Sequence, residues 1–225
     1  MCYNLSMNEL NPTIVKYIET EIIPRYGKAA GHRDSHISQV ITRSLGFAKR
    51  INSGEIKDKD FKGKINLDMC YVVAAFHDLG RLVDDETHEK ISAKILKEDQ
   101  KLPEFFSPSE IQTMAEAVED HRASNRHEPR SVYGRIVSSA DRNTKVNVML
   151  KRCYEKVRAD FPDETEDEII ERVRVILRKK YGGHAGYAAK KMYFPDPDFE
   201  KALTEIERVT RDFKTFRKLY DNPAA

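Results

Sequence analysis

The sequence predicts an all-α protein. Apolar residues recur at helical spacing through most of the chain, several of these runs open on recognisable capping residues, and neither period-two alternation nor an Asn-Gly hairpin signal competes with them. The first helix opens at Asn11-Pro12, an N-cap with proline in the first turn. It carries Ile14, Val15, Ile18, Ile22 and Ile23 until Pro24 and Gly27 stop it. The second is expected to be capped by Asp34, with His36 in its first turn. Its apolar face is Ile37, Val40, Ile41, Leu45 and Ala48, and it ends near Asn52-Ser53-Gly54. Leu67 to Phe76 is apolar nearly all round, the pattern of the most buried helix of a bundle, with Asn66 as cap and Gly80 as stop.

Glu86 to Glu98 forms the next expected helix, carrying His88 and turning Ile91, Ile95 and Leu96 inward. Ser107-Pro108-Ser109-Glu110 is a capping box opening a helix through Met114, Ala117 and Val118 that closes on His121. A loop from Arg122 to Arg130 leads to Val132–Ala140, which Asp141 ends. Val146 to Arg158 follows, then Thr165 to Lys180 behind a second capping box, Thr165 with Glu168. One long terminal helix is expected from about Pro197 to Tyr220. Its stripe of Phe199, Leu203, Ile206, Val209, Phe213 and Phe216 is core or a homodimer contact. The glycine- and aromatic-rich segment 181–197 is expected to be a packed connection rather than a lid.

Composition narrows the function classes. With 225 residues, 40% of them hydrophobic, the chain suits one large domain. Lys plus Arg at 39 against Asp plus Glu at 37 leaves a formal charge of +2, so no global field marks a nucleic-acid or membrane binder. The basic residues between 122 and 158 are interleaved with acids and lack the clustered aromatics that stack bases. Cys2, Cys70 and Cys153 are odd in number and have no CxxC spacing, which argues against a disulfide framework and a zinc knuckle. Without a signal-peptide pattern or an apolar run near the ~20 residues of a membrane span, a cytoplasmic location is expected.

The chemistry starts at His77-Asp78, which end the apolar run Tyr71–Phe76. An imidazole and a carboxylate carried into an apolar environment are costly unless something satisfies them, and a divalent cation satisfies both at once. The helix dipole favours a cation at that end as well. His36, His88, His121 and Asp141 each lie near an end of a different expected helix, so a bundle can converge them on one crevice. Mixed imidazole and carboxylate ligands suit Mn, Fe, Co, Ni or Zn. The absence of thiolates favours a catalytic centre with open positions over a structural one.

The order His36, His77-Asp78, Asp141 resembles the signature of the HD-domain superfamily of helical metal-dependent phosphohydrolases. The surrounding phrases Gly31-His-Arg-Asp-Ser-His36, His77-Asp-Leu-Gly-Arg81 and Ser139-Ala-Asp141-Arg142 resemble it too. The resemblance spans a core of about 30–145, followed by a helical extension of about 146–225. It implies one ion held by His36, His77, Asp78 and Asp141, and His88 and His121 resemble the additions that give some branches a second ion bridged by the HD aspartate. His121 is a single histidine where several two-metal branches have a pair, and the glycine-proline motif of the cyclic-dinucleotide branch is missing, which argues against cyclic-di-GMP as substrate.

The implied activity is hydrolysis of a phosphomonoester, phosphodiester or pyrophosphate bond in a small nucleotide-like substrate by a metal-activated water, with Asp78 as the catalytic residue. Arg81, Arg122, Arg142 and Lys145, by adjacency to candidate ligands, are the expected phosphate contacts. A di-iron oxygenase, which requires both His88 and His121, and a non-catalytic metal or ligand sensor are the alternatives.

Overall fold

A computed structural model describes residues 9–27, 33–182 and 186–221. Among them are ten α-helices and no strand: α1 Pro12–Tyr17, α2 Arg33–Asn52, α3 Leu67–Phe76, α4 His88–Lys97, α5 Pro108–Asp120, α6 Val132–Ala140, α7 Val146–Asp160, α8 Glu166–Tyr181, α9 Pro197–Val209 and α10 Phe213–Asp221. The all-α class is as expected. No helix among the described residues is long and apolar enough to cross a membrane. The chain divides into two compact units, 1–141 and 142–225.

In the first unit α3 is the centre, packed by α2, α5 and α6, while α4 lies along α5. The reason is compositional: every residue from Met69 to Phe76 is buried, which only a helix surrounded on all sides allows. The Asn66 side chain caps it by accepting from the amides of Asp68 and Met69. Gly134 lets α6 pack closely on the connection before it and on α5, since a Cβ there would lie 2.8 Å from Pro129 Cβ and 3.4 Å from Asp120 Cβ. A buried ion pair, Asp58 with Arg135 at 2.6 and 2.7 Å, ties the 53–66 connection to α6.

Local expectations are corrected at four places. The first helix does not run on to Ile23: α1 stops at Tyr17 and passes through a π turn, Ile18–Ile22, and a 3₁₀ turn, Ile23–Tyr26. Pro24 has no N–H and its ring crowds the preceding turn, which widens before it tightens. Asp34 lies inside α2 and not at its cap, because the helix is already formed at Arg33. α4 begins at His88 rather than Glu86, since the Asp84 carboxylate draws the amides of Glu86 and Thr87 into a turn of their own.

The long terminal helix is broken in two. Thr210 bonds back to the Ile206 carbonyl at 2.6 Å, and Asp212 accepts from the Thr215 amide at 2.8 Å, which caps α10. Arg174 of α8 donates to the Thr210 carbonyl exposed by that break. α8, whose capping box has both bonds, is the centre of the second unit, packed by α7, α9 and α10. In segment 181–197 Ala188 and Phe194 are buried, so the described part is a packed connection; residues 183–185 lie outside the described residues.

Candidate metal centre

Five elements of the first unit converge. α3 ends on His77, and at Asp78 the backbone leaves helical geometry with φ −111° and ψ 7°. Beyond that turn the Asp78 carboxylate lies among the imidazoles of His36, His77, His88 and His121. The chain then packs on the first turn of α4 through Gly80, where a Cβ would lie 2.2 Å from the His88 carbonyl oxygen. The glycine is needed for close approach, and its amide is held by Ser92 Oγ at 2.8 Å. His88 is the first residue of α4, His121 the C-cap of α5 and Asp141 the C-cap of α6. His36 sits in the first turn of α2.

The geometry is organised around one carboxylate. Asp78 Oδ2 lies 3.7 Å from both His36 Nε2 and His77 Nε2, while Oδ1 lies 3.4 Å from His88 Nε2 and 3.6 Å from His121 Nε2. Asp141 Oδ1 closes the first group, 3.3 Å from His36 Nε2 and 3.9 Å from His77 Nε2. Two sets of donors, His36-His77-Asp78 and Asp78-His88-His121, therefore have their ligand atoms within 4.8 Å of one another.

The far side of three imidazoles is fixed. Nδ1 of His77, His88 and His121 lies 2.8, 2.8 and 2.6 Å from the carbonyl oxygens of Ala74, Asp85 and Val118. A carbonyl only accepts, so Nδ1 carries the proton and Nε2 turns a lone pair inward. His88 Nε2 and His121 Nε2 are then 3.3 Å apart with lone pairs converging, an arrangement that repels unless a positive charge lies between them.

Electrostatics points the same way. Burial pushes the His77 imidazole down to about 4, and it lowers His88 as well, so both are neutral and able to ligate at neutral pH. Burial opposes ionisation of Asp78, yet His77, His121, His36 and Arg81 together hold its carboxyl well below the usual range. Burial also lowers His36, but its bonds to Asp141 and Asp78 outweigh this and raise it to about 9. Positive charge is thus favoured between the two carboxylates. His77 Nε2 and Asp78 Oδ1 are buried without a hydrogen-bond partner, which fits a divalent ion of the kind that takes imidazole and carboxylate together.

A family model, that of the HD domain, matches residues 33–144. This stretch of the chain is an HD domain of the HD-domain superfamily. That superfamily is one of metal-dependent hydrolases, most of them phosphohydrolases. No curated protein and no solved structure matches the chain.

Within the HD domain, the structure brings all six expected ligand positions together: His36, His77, Asp78, His88, His121 and Asp141. The four basic residues differ in placement. Arg81 pairs through Nε with Asp78 Oδ2 at 2.8 Å and through Nη1 with Asp85. Arg122 donates to Glu89 Oε2 at 3.2 Å and to the Glu86 carbonyl. Arg142 and Lys145 belong to the second unit, Arg142 buried and Lys145 exposed as the N-cap of α7. Sequence reasoning missed Glu89 and Ser92, both buried beside the centre. The spacing of His88, Ser92 and Leu96, every fourth residue and all buried, was the available signal.

Proposed function

We propose that this HD domain is a phosphohydrolase acting on a phosphomonoester, phosphodiester or pyrophosphate bond of a small nucleotide-like substrate. In this reading His36, His77, Asp78 and Asp141 hold one transition-metal ion, of Mn, Fe, Co, Ni or Zn, and Asp78, His88 and His121 hold a second. The observation that supports it is the division of the two Asp78 oxygens between two imidazole pairs, with the Nδ1 protons of His77, His88 and His121 committed to the backbone. A bound divalent ion would supply a water whose pKa is lowered toward ~7 and would polarise phosphoryl oxygens.

The protein's own groups do the remaining work. Asp78, held ionised by its neighbours, orients the attacking water. Burial of His77, His88 and His121 keeps bulk water from competing, and it keeps the nitrogens of His77 and His88 neutral. Arg81, anchored on Asp78 and Asp85, presents its remaining guanidinium nitrogen to the phosphate and neutralises charge that builds up there.

The test pairs metal analysis with a substrate panel on the full chain. Manganese-loaded protein should release phosphate from at least one small phosphoester or pyrophosphate. Asp78→Ala should lose both ions and at least about a thousandfold of the rate, as removal of a group central to catalysis does; undiminished turnover in that variant would sink the assignment. The presence of both His88 and His121 in the cluster also favours a di-iron oxygenase as second reading. Oxygen uptake by the iron-loaded chain, with no phosphate released from any member of the panel, would select it instead.

A further inference from the structure

His88 opens α4 and His121 closes α5, so the two imidazoles sit at the open end of an antiparallel helix pair, opposite the 98–107 connection. No turn of chain joins the helices there, and the converging lone pairs of the two Nε2 atoms push the ends apart. The Arg122 side chain spans the gap. Arg122, next to His121, donates from Nη1 to the Glu86 carbonyl and, at 3.2 Å, to Glu89 Oε2. Those acceptors flank His88 on both sides. Glu89 is itself buried, its side chain 9% exposed, and its Oε2 lies 3.9 Å from His88 Nδ1. A carboxylate carried that deep is stable when a guanidinium pairs with it, and an Arg pairs with it here.

We propose that Arg122 and Glu89 form a clasp that sets the His88–His121 separation, and that Arg122 is a positioning residue for the second ion rather than a phosphate contact. The inference rests on the two-ion reading above. It follows from the clasp that the two half-sites respond differently to its loss. The first, built from His36, His77, Asp78 and Asp141, is fixed by α2, α3 and α6, none of which Arg122 touches in the bonds described. The second has one shared carboxylate oxygen and two imidazoles whose spacing depends on an ion pair.

The experiment is a cobalt titration of the full metal-free chain, followed by the visible absorption of the bound ion and by metal content after desalting. Wild type, Arg122→Gln and Glu89→Gln are compared, with thermal melting as the check on folding. Wild type should take up two ions. Each variant should bind the first as wild type does and the second about 10- to 100-fold more weakly, the usual effect of removing support behind a metal ligand. Arg122→Lys should recover only part of the loss, because a strongly hydrated ammonium on a flexible stem loses more on being held between the Glu86 carbonyl and Glu89 than the pre-organised guanidinium does.

Two ions at wild-type affinity in both Gln variants would overturn the clasp. Weakened competition by inorganic phosphate in Arg122→Gln, without a change in second-ion affinity, would assign Arg122 to phosphate instead. A wild-type chain that takes up one ion would overturn the two-ion reading itself, a result separable from failure of the clasp because it appears before any substitution. Should Arg122→Gln fail to fold, Glu89→Gln tests the same contact from the other side.

Discussion

The two units bury very different things. In the first, the interior holds Asp58, His77, Asp78, His88, Glu89, Asp120, His121 and Arg135, whereas among the described residues of the second the buried polar ones are Arg142 and Thr210. Arg142 apart, the second unit pairs charges outside its core, as in Arg208–Glu205, Arg172–Glu164 and Arg217–Asp167, over an interior of Ile169, Ile170, Val173, Phe199 and Ile206. Apolar burial stabilises without directional demands, but buried charges must each find a partner or cost several kcal/mol. The lesson is that the first unit gives up interior volume to polar groups in two kinds. Some, such as Asp58 with Arg135, satisfy each other. Others, His77 Nε2 and Asp78 Oδ1, are left for something the protein does not itself supply.

Five changes would break or sharpen this contrast. Phe199→Ala, a fully buried ring in the second unit, should cost about 3–5 kcal/mol by creating a cavity. Its melting temperature should fall while ion content stays at the wild-type value; a parallel loss of ions would erase the distinction between the units. Arg135→Ala in the first unit should cost a similar ~3–5 kcal/mol for a different reason, a carboxylate left buried and unpaired. Here pH separates the causes.

Burial raises the Asp58 pKa, but the bonds from Arg135 and the Asp60 and Phe61 amides prevail and hold it below 3.8. A depressed carboxyl stabilises the fold fully above that unfolded value and loses the contribution as pH falls through its folded one. Acid melts from pH 6 to pH 2 should therefore show wild type and Asp58→Asn converging at the acid end; a constant gap would refute the linkage. Next in size, Gly80→Ala places a methyl against the His88 carbonyl and should cost about 1–3 kcal/mol as α4 shifts. It should also weaken uptake of the second ion, read by the same titration as the clasp. Smallest is Arg208→Ala on the surface of α9, expected to leave the melting midpoint unchanged within error.

Much of this was legible from residue order. The all-round apolar run of α3 announced a central helix, and both capping boxes appear with their reciprocal bonds. The ligand positions were legible for a related reason: each is a polar residue ending or opening an apolar helix, where periodicity alone makes it conspicuous. Less visible were contacts between residues far apart in sequence and silent in any periodic pattern. Arg122 reaches Glu89 and Arg135 reaches Asp58 across separations of 33 and 77 residues. Sequence adjacency linked Arg122 to His121 but could not show which way the guanidinium would turn. The break between α9 and α10 was obscured by an apolar stripe that keeps helical spacing through Phe213 and Phe216, although Asp212 already offers a cap.

The donors of the centre are scattered from position 36 to position 141, nearly the whole length of the first unit. No short peptide cut from this chain could reproduce the arrangement, and a chain emerging from the ribosome would expose its histidines one by one long before they meet. On the two-ion reading, ion capture would report on completed long-range assembly: the donors meet only when α2 through α6 have found one another, so a spectroscopic ion would serve as a clock for the last step of folding in this part of the chain.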